Sequence, residues 1–306
     1  MALPVNSLSS RSAPSSAGSG WRRVRSRLSP RLLAGGGGAL IVGYLSLIVL
    51  IPIAALVSHG LSVSVVTHGA GLAFWRWHVS IGLKSFWSAV TVPGARQAIF
   101  LSLWLSLSVA AINAVMGVAI AWVLVRDRFI GKGLIEASID LPFALPTIVA
   151  GVVLLAIYGV DSPIHVDLFE TWMGLMMALL FVTLPFSVRA VQPVLATLDR
   201  ESEDAARTLG AGGVRIFFSV VLPALWPAVL AGFGLAFARA IGEFGSISLI
   251  AGGLGRTTTA SNYVYNLTQG FLWTDAAAVS TALLLLSLVV LVTTNVLSRH
   301  FQERTI

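Results

Sequence analysis

The chain has few charged residues and no cysteine. Charged side chains make up 11% of its 306 residues, whereas an ordinary soluble domain has about 25%. The absence of cysteine excludes disulfides, thiol nucleophiles and cysteine-ligated metal sites. The five histidines are scattered over predicted loops and helix ends without the spacing of a metal site. Neither a metal site nor a catalytic residue is therefore predicted.

The sequence also lacks a nucleotide-binding loop. Such a loop needs two glycines at a fixed spacing, followed by lysine and a hydroxyl residue, and the segment GKGL at 131–134 has neither that spacing nor the hydroxyl. The formal net charge is +7, but no nucleic-acid-binding motif accompanies the basic residues. ATP hydrolysis and nucleic-acid binding are therefore not expected of this chain.

Apolar residues dominate the composition. They form 56% of the chain, and the mean hydropathy of +0.88 indicates that the bilayer is its solvent. Six stretches are long enough for membrane helices, and none alternates as a membrane β-strand does. These stretches are 39–58, 98–125, 139–160, 171–192, 223–250 and 276–298. The predicted fold class is all-α, a polytopic membrane protein with six transmembrane helices.

The distribution of basic residues predicts the orientation in the membrane. Fifteen of the 20 lysines and arginines fall on one side of the predicted spans. They are Arg11, Arg22, Arg23, Arg25, Arg27, Arg31, Arg126, Arg128, Lys132, Arg189, Arg200, Arg207, Arg215, Arg299 and Arg304. Because lysine and arginine collect on the cytoplasmic side, both termini are predicted to be cytoplasmic.

Four regions follow from the predicted spans. Residues 1–37 form a basic cytoplasmic tail, rich in serine and glycine, that is expected to be disordered. Residues 38–58 form the first transmembrane helix, expected to stay in place as a signal anchor. Residues 59–97 form an external loop. Residues 98–300 contain the other spans and a cytoplasmic loop at 199–222.

The cytoplasmic loop 199–222 is predicted to contain a short helix at about 200–209. Asp199 can cap its first turn, and Gly210 can adopt the left-handed conformation that ends a helix. One face carries small residues and a single leucine, namely Ser202, Ala205, Ala206 and Leu209. So small a face cannot hold a short helix by burial within its own chain. Its polar side is mainly acidic, which favours docking into another protein over lying on the membrane.

The same loop resembles the signature of ABC importer permeases, which reads E-A-A, three residues, G, nine residues, I-x-L-P. Here Asp204-Ala205-Ala206 precedes Gly210 by three residues, and nine more residues lead to Val220-Val221-Leu222-Pro223. The stretches WVLVRDRFIGKGLIEASIDLPFALPTIVAG at 122–151 and ARAIGEFGSISLIAG at 238–252 are similar to sulfate permeases, the second also to molybdate permeases. The chain is identified as a member of the sulfate/thiosulfate ABC importer permeases, of the T-subunit type.

The resemblance implies a type I ABC importer permease fold in the bacterial cytoplasmic (inner) membrane. The expected partners are a homologous permease of the W type, a cytoplasmic ABC ATPase dimer, an external sulfate-binding protein and membrane lipid. ATP and Mg²⁺ would be used by the ATPase, so this chain would bind no cofactor directly and would not be an enzyme. The residues implied to couple to the ATPase are Glu203, Asp204, Ala205, Ala206, Leu209, Gly210, Leu222 and Pro223.

Arg239 and Glu243 lie four residues apart inside the fifth predicted span. An intramembrane charge needs a partner or a pathway, so the two either line or gate the translocation path or only neutralise each other. Two rows of small residues with a spacing of four begin at Gly232 and Gly234 in the same span. They predict close packing on more than one side, or simple crowding within one bundle.

Prolines interrupt the third and fourth predicted spans. Pro142, Pro146 and Pro185 each remove a backbone donor and can kink a membrane helix. Asp140, at the cytoplasmic edge of the third span, is expected to cap the turn that Pro142 opens.

The expected function is that of the membrane-spanning permease subunit of an ATP-driven sulfate/thiosulfate importer. Such a subunit forms half of the translocation path and couples it to a cytoplasmic ATPase. A molybdate/tungstate ABC permease is the alternative within the same class. A stand-alone secondary anion transporter and a membrane anchor for an unrelated complex are alternatives from other classes.

Overall fold

The computed structural model describes residue 38 and residues 40–61, 72–252 and 255–302. All the regular secondary structure in this part of the chain is helical, with no residue in a strand. The tail at 1–37 that the sequence predicts to be disordered lies outside the described residues. The all-α prediction is confirmed for the part that is described.

Eleven helices make up the described ranges. They are α1 (Leu40–Leu61), α2 (Leu72–Thr91), α3 (Pro93–Arg126), α4 (Lys132–Ala144), α5 (Thr147–Tyr158), α6 (Trp172–Thr197), α7 (Glu201–Thr208), α8 (Gly213–Ile241), α9 (Gly245–Ile250), α10 (Ala260–Gln269) and α11 (Trp273–Gln302). Five of them, α1, α3, α6, α8 and α11, are long and apolar enough to cross a membrane. The bent pair α4 and α5 makes a sixth span if the two are counted together.

The chain divides into two compact units, Met1–Ala54 and Ala55–Ile306. The described residues of the first unit form the beginning of α1, which includes a π-helical turn at Ser46–Leu50 and buries no side chain there. The second unit contains the remainder of α1, all the other helices and the hydrophobic core.

The described residues of the predicted external loop at 59–97 are largely helical. Helix α2 occupies Leu72–Thr91, and α3 begins at Pro93, five residues before the predicted start of the second span at 98. Polar residues such as Lys84 interrupt the apolar residues of α2, so no long apolar run marks it in the sequence. Proline at the start of α3 suits a helix, because its fixed backbone angle is helical and the first turn needs no donor.

Two predicted spans are broken. The stretch predicted as one span at 139–160 consists of α4 and α5, which meet at an angle of 116°. The break is at Pro146, because a proline disfavours helical geometry in the preceding residue, and Leu145 is extended. The span predicted at 223–250 begins earlier, at Gly213, and α8 ends at Ile241 before α9 starts. The interruption predicted at Pro146 is thus confirmed, whereas the break after Ile241 was not predicted.

Helices α3, α6, α8 and α11 pack closely, and small residues allow the contacts. A methyl group on Gly232 of α8 would lie 3.1 Å from the Cβ of Ala190 on α6. A methyl group on Gly234 would lie 2.8 Å from Thr294 Oγ1 on α11. Gly232 and Gly234, which begin the two rows, therefore contact different helices, so α8 is packed on at least two sides within this bundle.

Helices α5 and α9, which follow the breaks in the two interrupted spans and are called their arms, also pack against each other. A methyl group on Gly151 of α5 would lie 2.9 Å from the carbonyl oxygen of Ser246 on α9. A methyl group on Gly245 would overlap the hydroxyl of Thr147 and lie 2.9 Å from the backbone nitrogen of Ile148. The contact between these two arms is thus made by backbone on backbone.

Candidate functional site

The short helix predicted in the loop 199–222 is present as α7. It runs over Glu201–Thr208, within one residue of each predicted end. The N-cap position is Arg200, one residue later than predicted, and its side chain forms no capping hydrogen bond. The backbone N–H of Glu201, the first residue of the helix, donates to Asp199 Oδ1 at 3.0 Å. Three acidic residues lie in the first turn, where the helix dipole favours negative charge.

Gly210 ends α7 in the left-handed conformation, with a φ of +83°. The backbone N–H of Gly210 donates to the carbonyl of Arg207 at 2.9 Å, and that of Ala211 donates to the carbonyl of Ala206 at 3.0 Å. This pair of hydrogen bonds forms a Schellman motif, in which a residue without a side chain is favoured at the left-handed position. The predicted conformation of Gly210 is confirmed.

The two sides of α7 differ in exposure. Ser202 and Ala205 are exposed, and Leu209 is 88% exposed. Ala206 belongs to the same predicted face but packs partly against a core cluster of the bundle. Glu203 is buried, so its carboxylate does not lie on the exposed side. One side of α7 therefore contacts the bundle, and the other is free to contact a partner.

Glu203 forms an ion pair with Arg126, the last residue of α3. Arg126 Nη2 donates to Glu203 Oε1, and the two side chains are only 10% and 6% exposed. The guanidinium also lies 5.5 Å from the ring centroid of Trp122, one helical turn earlier on α3. This contact joins residues 77 positions apart, and no local pattern in the sequence indicates it.

Arg207 is a second, weaker partner of Glu203. Its Nη2 lies 3.6 Å from Glu203 Oε2, and its other terminal nitrogen donates to Asp204 Oδ1. The Arg207 side chain is 57% exposed and belongs to α7 itself. It adds positive charge beside Glu203 without connecting α7 to another helix.

The last two residues of the predicted coupling set, Leu222 and Pro223, lie inside α8. Leu222 is half-buried and Pro223 is exposed. Pro223 does not open the helix as predicted, because α8 begins at Gly213 and passes through a π-helical turn at Phe217–Val221. Val214 and Phe218, one turn apart near the start of α8, are exposed apolar residues that extend the free surface of the loop.

Arg239 and Glu243 form an ion pair at the other end of α8, about 24 Å along the helix from Pro223. Arg239 Nη1 donates to Glu243 Oε2. The backbone N–H and the hydroxyl of Ser246 donate to Glu243 Oε1 at 2.9 and 2.8 Å. Glu243 therefore also caps the first turn of α9, a role that the sequence analysis missed. Its side chain is 1% exposed, whereas that of Arg239 is 30% exposed.

Asp140 is held differently from the prediction. Arg189 of α6 donates to its carboxylate through both Nε and Nη2, which joins α4 to α6. Arg189 Nη1 also donates to the side-chain oxygen of Gln192 at 2.6 Å. The carboxylate binds this arginine in a fork-like geometry, and no hydrogen bond from Asp140 to the turn at Pro142 is found among the described residues.

Residues 113–306 match the family described as "Binding-protein-dependent transport system inner membrane component". The chain belongs to this family of permeases. The permease is 36% identical to the sulfate transport system permease protein CysT of Salmonella typhimurium. The alignment of 271 residues covers 86% of the permease and 91% of the relative. It is thus a transport subunit and not an enzyme.

Solved structures support the same fold. A chain of a bacterial ABC transporter involved in the import of the acidic polysaccharide alginate aligns with a TM-score of 0.67 and 14% identity, covering 88% of the permease and 95% of that chain. The alginate transporter in complex with alginate pentasaccharide-bound periplasmic protein gives a TM-score of 0.65 and 17% identity, covering 88% and 94%. The ABC importer permease fold is confirmed.

Proposed function

We propose that this permease is the membrane-spanning subunit of an ATP-driven importer of sulfate, that it forms half of the translocation path, and that α7 docks on a cytoplasmic ATPase. The observation that carries the proposal is the two-sided character of α7. Its Glu203 side is fixed to the bundle, and its Leu209 side is exposed. The substrate is inferred from the relative in Salmonella typhimurium that is named as a sulfate permease.

The docking surface for the ATPase would be apolar with an acidic margin. Leu209, Val214 and Phe218 are exposed apolar side chains on both sides of the turn at Gly210. An exposed leucine and phenylalanine on a short element suit a hydrophobic groove in another protein. Glu201 and Asp204 are exposed acidic residues of α7 and would complement basic residues on the partner. The excess of arginine on this side of the membrane supports a cytoplasmic location, with both termini inside.

The remaining partners are a homologous permease of the W type and an external sulfate-binding protein. The alginate transporter with its periplasmic protein provides the precedent for an external binding protein in this fold. ATP and Mg²⁺ would be used by the ATPase, and this chain would bind no cofactor directly. The lack of a P-loop sequence supports that assignment.

We propose separate roles for Arg239, near the end of α8, and Glu243, just beyond it. Glu243 accepts hydrogen bonds from Ser246 and pairs with Arg239, so its role would be to hold the junction between α8 and α9. Arg239 is partly exposed and would present positive charge to a passing dianion while Glu243 fixes its position.

The test is uptake of radiolabelled sulfate in a strain that lacks its own permease and carries this chain with its partner subunits. Gly210→Val forces a β-branched residue into a left-handed conformation, at a cost of about 1–2 kcal/mol, and we expect uptake to fall about tenfold. Ala205→Arg leaves the helix intact but fills its exposed side, so uptake should fall similarly. The matched control is Gly212→Ala, because Gly212 has an ordinary φ of −73° and nothing near its Cβ position.

Membrane insertion of each variant is checked by its amount in the membrane fraction. Normal uptake by inserted Gly210→Val and Ala205→Arg variants would show that α7 does not dock on the ATPase. Unlabelled sulfate, thiosulfate and molybdate are added as competitors in the same assay. Competition by molybdate at a far lower concentration than sulfate would overturn the substrate assignment and leave the docking proposal standing.

A further inference from the structure

Helix α7 is too short to remain folded unless other elements hold it. It has eight residues, whereas an isolated helix shorter than about 12–15 residues is marginal in water. Its covalent links are Leu198–Arg200 to α6 and Leu209–Gly212 to α8. Both links are non-helical, and by themselves they would let α7 tilt relative to the bundle.

The end of α3 holds α7 from one side. Arg126 pairs with Glu203, and both side chains are at least nine-tenths buried. Arg126 Nε has no hydrogen-bond partner in the described part of the chain. The guanidinium is thus fixed mainly by Glu203 and by the ring of Trp122. The ion pair crosses from one element to another, because Arg126 belongs to α3 and Glu203 to α7.

The same end of α3 also contacts the arm that follows α7. Trp122 packs edge-to-face against Phe217, with ring centroids 5.3 Å apart. Ala206 of α7 and Ala211 of the turn pack against the core cluster that contains Ala121 of α3. One turn of α3 therefore contacts both α7 and the beginning of α8.

Helix α3 is firmly attached to the rest of the bundle. A methyl group on Gly117 would lie 2.8 Å from Ser187 Cβ, so the backbone of α3 is in direct contact with α6. One turn further on, Asn113 Nδ2 donates to Thr183 Oγ1 at 2.8 Å and to the carbonyl of Leu180 at 3.2 Å. Displacement of the Arg126 end of α3 would therefore reach the centre of the bundle.

From these contacts we infer that Arg126 and Glu203 are positioning residues for coupling. Their ion pair fixes α7 to the end of α3, so that movement of a docked ATPase reaches α3 directly and does not pass only through the backbone links to α6 and α8. The inference rests on the proposed docking of α7 on an ATPase. Arg207 cannot replace Arg126 in this role, because Arg207 lies on α7 and neutralises Glu203 without tying it to α3.

The experiment uses the assembled transporter, with its ATPase and binding protein, in proteoliposomes, and measures sulfate uptake and ATP hydrolysis together. Arg126→Gln and Glu203→Gln each leave one buried charge without its partner across the helices. We expect sulfate imported per ATP to fall about tenfold in both, within the usual range of coupling free energies, while ATP hydrolysis continues. The exchange of charges, Arg126→Glu with Glu203→Arg, should restore at least part of that ratio.

The matched control is Arg128→Gln, which removes the same charge two residues further on. Arg128 is exposed and forms no ion pair with any described residue. An unchanged ratio of uptake to hydrolysis in Arg126→Gln and Glu203→Gln would overturn the inference. The inference would also be overturned if Arg126→Gln and Glu203→Gln lost sulfate uptake and ATP hydrolysis equally and the exchange of charges restored neither activity.

A second measurement does not depend on the substrate. Amide hydrogen exchange of α7 in the same complex should be faster in Arg126→Gln and Glu203→Gln, and unchanged in Arg128→Gln, because only the first two release α7 from α3. If the wild-type complex imported no sulfate, the proposed substrate would be contradicted. The hydrogen-exchange rates would still show whether the pair of Arg126 and Glu203 attaches α7 to α3. Unchanged exchange in all three variants would refute the attachment.

Discussion

Two junctions in this permease each bury a glutamate beside an arginine, and they are held in different ways. At α7, Glu203 reaches Arg126 on another helix, 77 residues away. At the break between α8 and α9, Glu243 binds Arg239 four residues before it and Ser246 three residues after it. The first glutamate connects distant elements, whereas the second closes a corner within one segment of the chain.

This difference determines whether each charge pair can transmit movement from one helix to another. The Glu243 pair should move with its own segment, because the ion pair and the hydrogen bonds that Glu243 forms with described residues all lie within residues 239–246. The Glu203 pair resists relative movement of two elements that the backbone does not join directly. Loss of the local pair should thus affect stability most, and loss of the long-range pair should affect coupling most.

The largest effect on stability is expected from Glu243→Met, because methionine is similar to glutamate in volume but is apolar. It leaves Arg239 without its counter-ion inside the bundle and removes the acceptor for the N–H of Ser246. We expect a loss of about 3–5 kcal/mol in the free energy of unfolding, as for other broken buried pairs. The measurement is the thermal midpoint and yield of the purified complex.

The double variant Arg239→Met with Glu243→Met serves as its control. It removes both charges, so it should be more stable than Glu243→Met alone, because no unpaired charge remains. A double variant that is as unstable as the single one would show that the capping of α9, and not the ion pair, dominates at this junction.

A smaller effect is expected from Ser246→Ala at the same corner. The hydroxyl donates one of the hydrogen bonds to Glu243, and the backbone N–H of the same residue donates another that the substitution keeps. The expected loss is about 1.5 kcal/mol, typical of a hydrogen bond to a charged group. If Ser246→Ala destabilised the complex as much as Glu243→Met, the hydroxyl and not the carboxylate would hold the corner.

The smallest effect is expected from Arg207→Gln at the other junction. Arg207 is exposed and sits on the same helix as both of its acidic partners. Exposed pairs contribute little, so the change in stability should stay within about 0.5 kcal/mol. Sulfate uptake per ATP should also be unchanged, and a marked fall would mean that Arg207 has a direct role in docking.

The sequence predicted local features well. Cap residues and glycine placed α7 to within a residue at each end, because capping and left-handed geometry depend on neighbours in the chain. The i, i+4 spacing of Arg239 and Glu243 indicated their pairing for the same reason. Long apolar runs identified the membrane spans, since burial in lipid requires length and little else.

Features that depend on packing between distant segments were missed. Nothing near Arg126 in the chain indicates Glu203 as its partner, and Arg189 was not expected to hold Asp140. The apolar pattern of 223–250 continues through the break after Ile241, so hydropathy does not reveal that the helix ends there. The hydrogen bonds from Ser246 to Glu243 that stabilise this break are local in the chain, but they were not predicted either.

The close contact between Gly151 and Gly245 has a mechanical consequence. Because no methyl group fits between α5 and α9, we expect these two arms to move together as one unit. Each arm is joined to its longer helix at a break, one at Pro146 and one after Ile241. A change of angle at one break should therefore be accompanied by a change at the other.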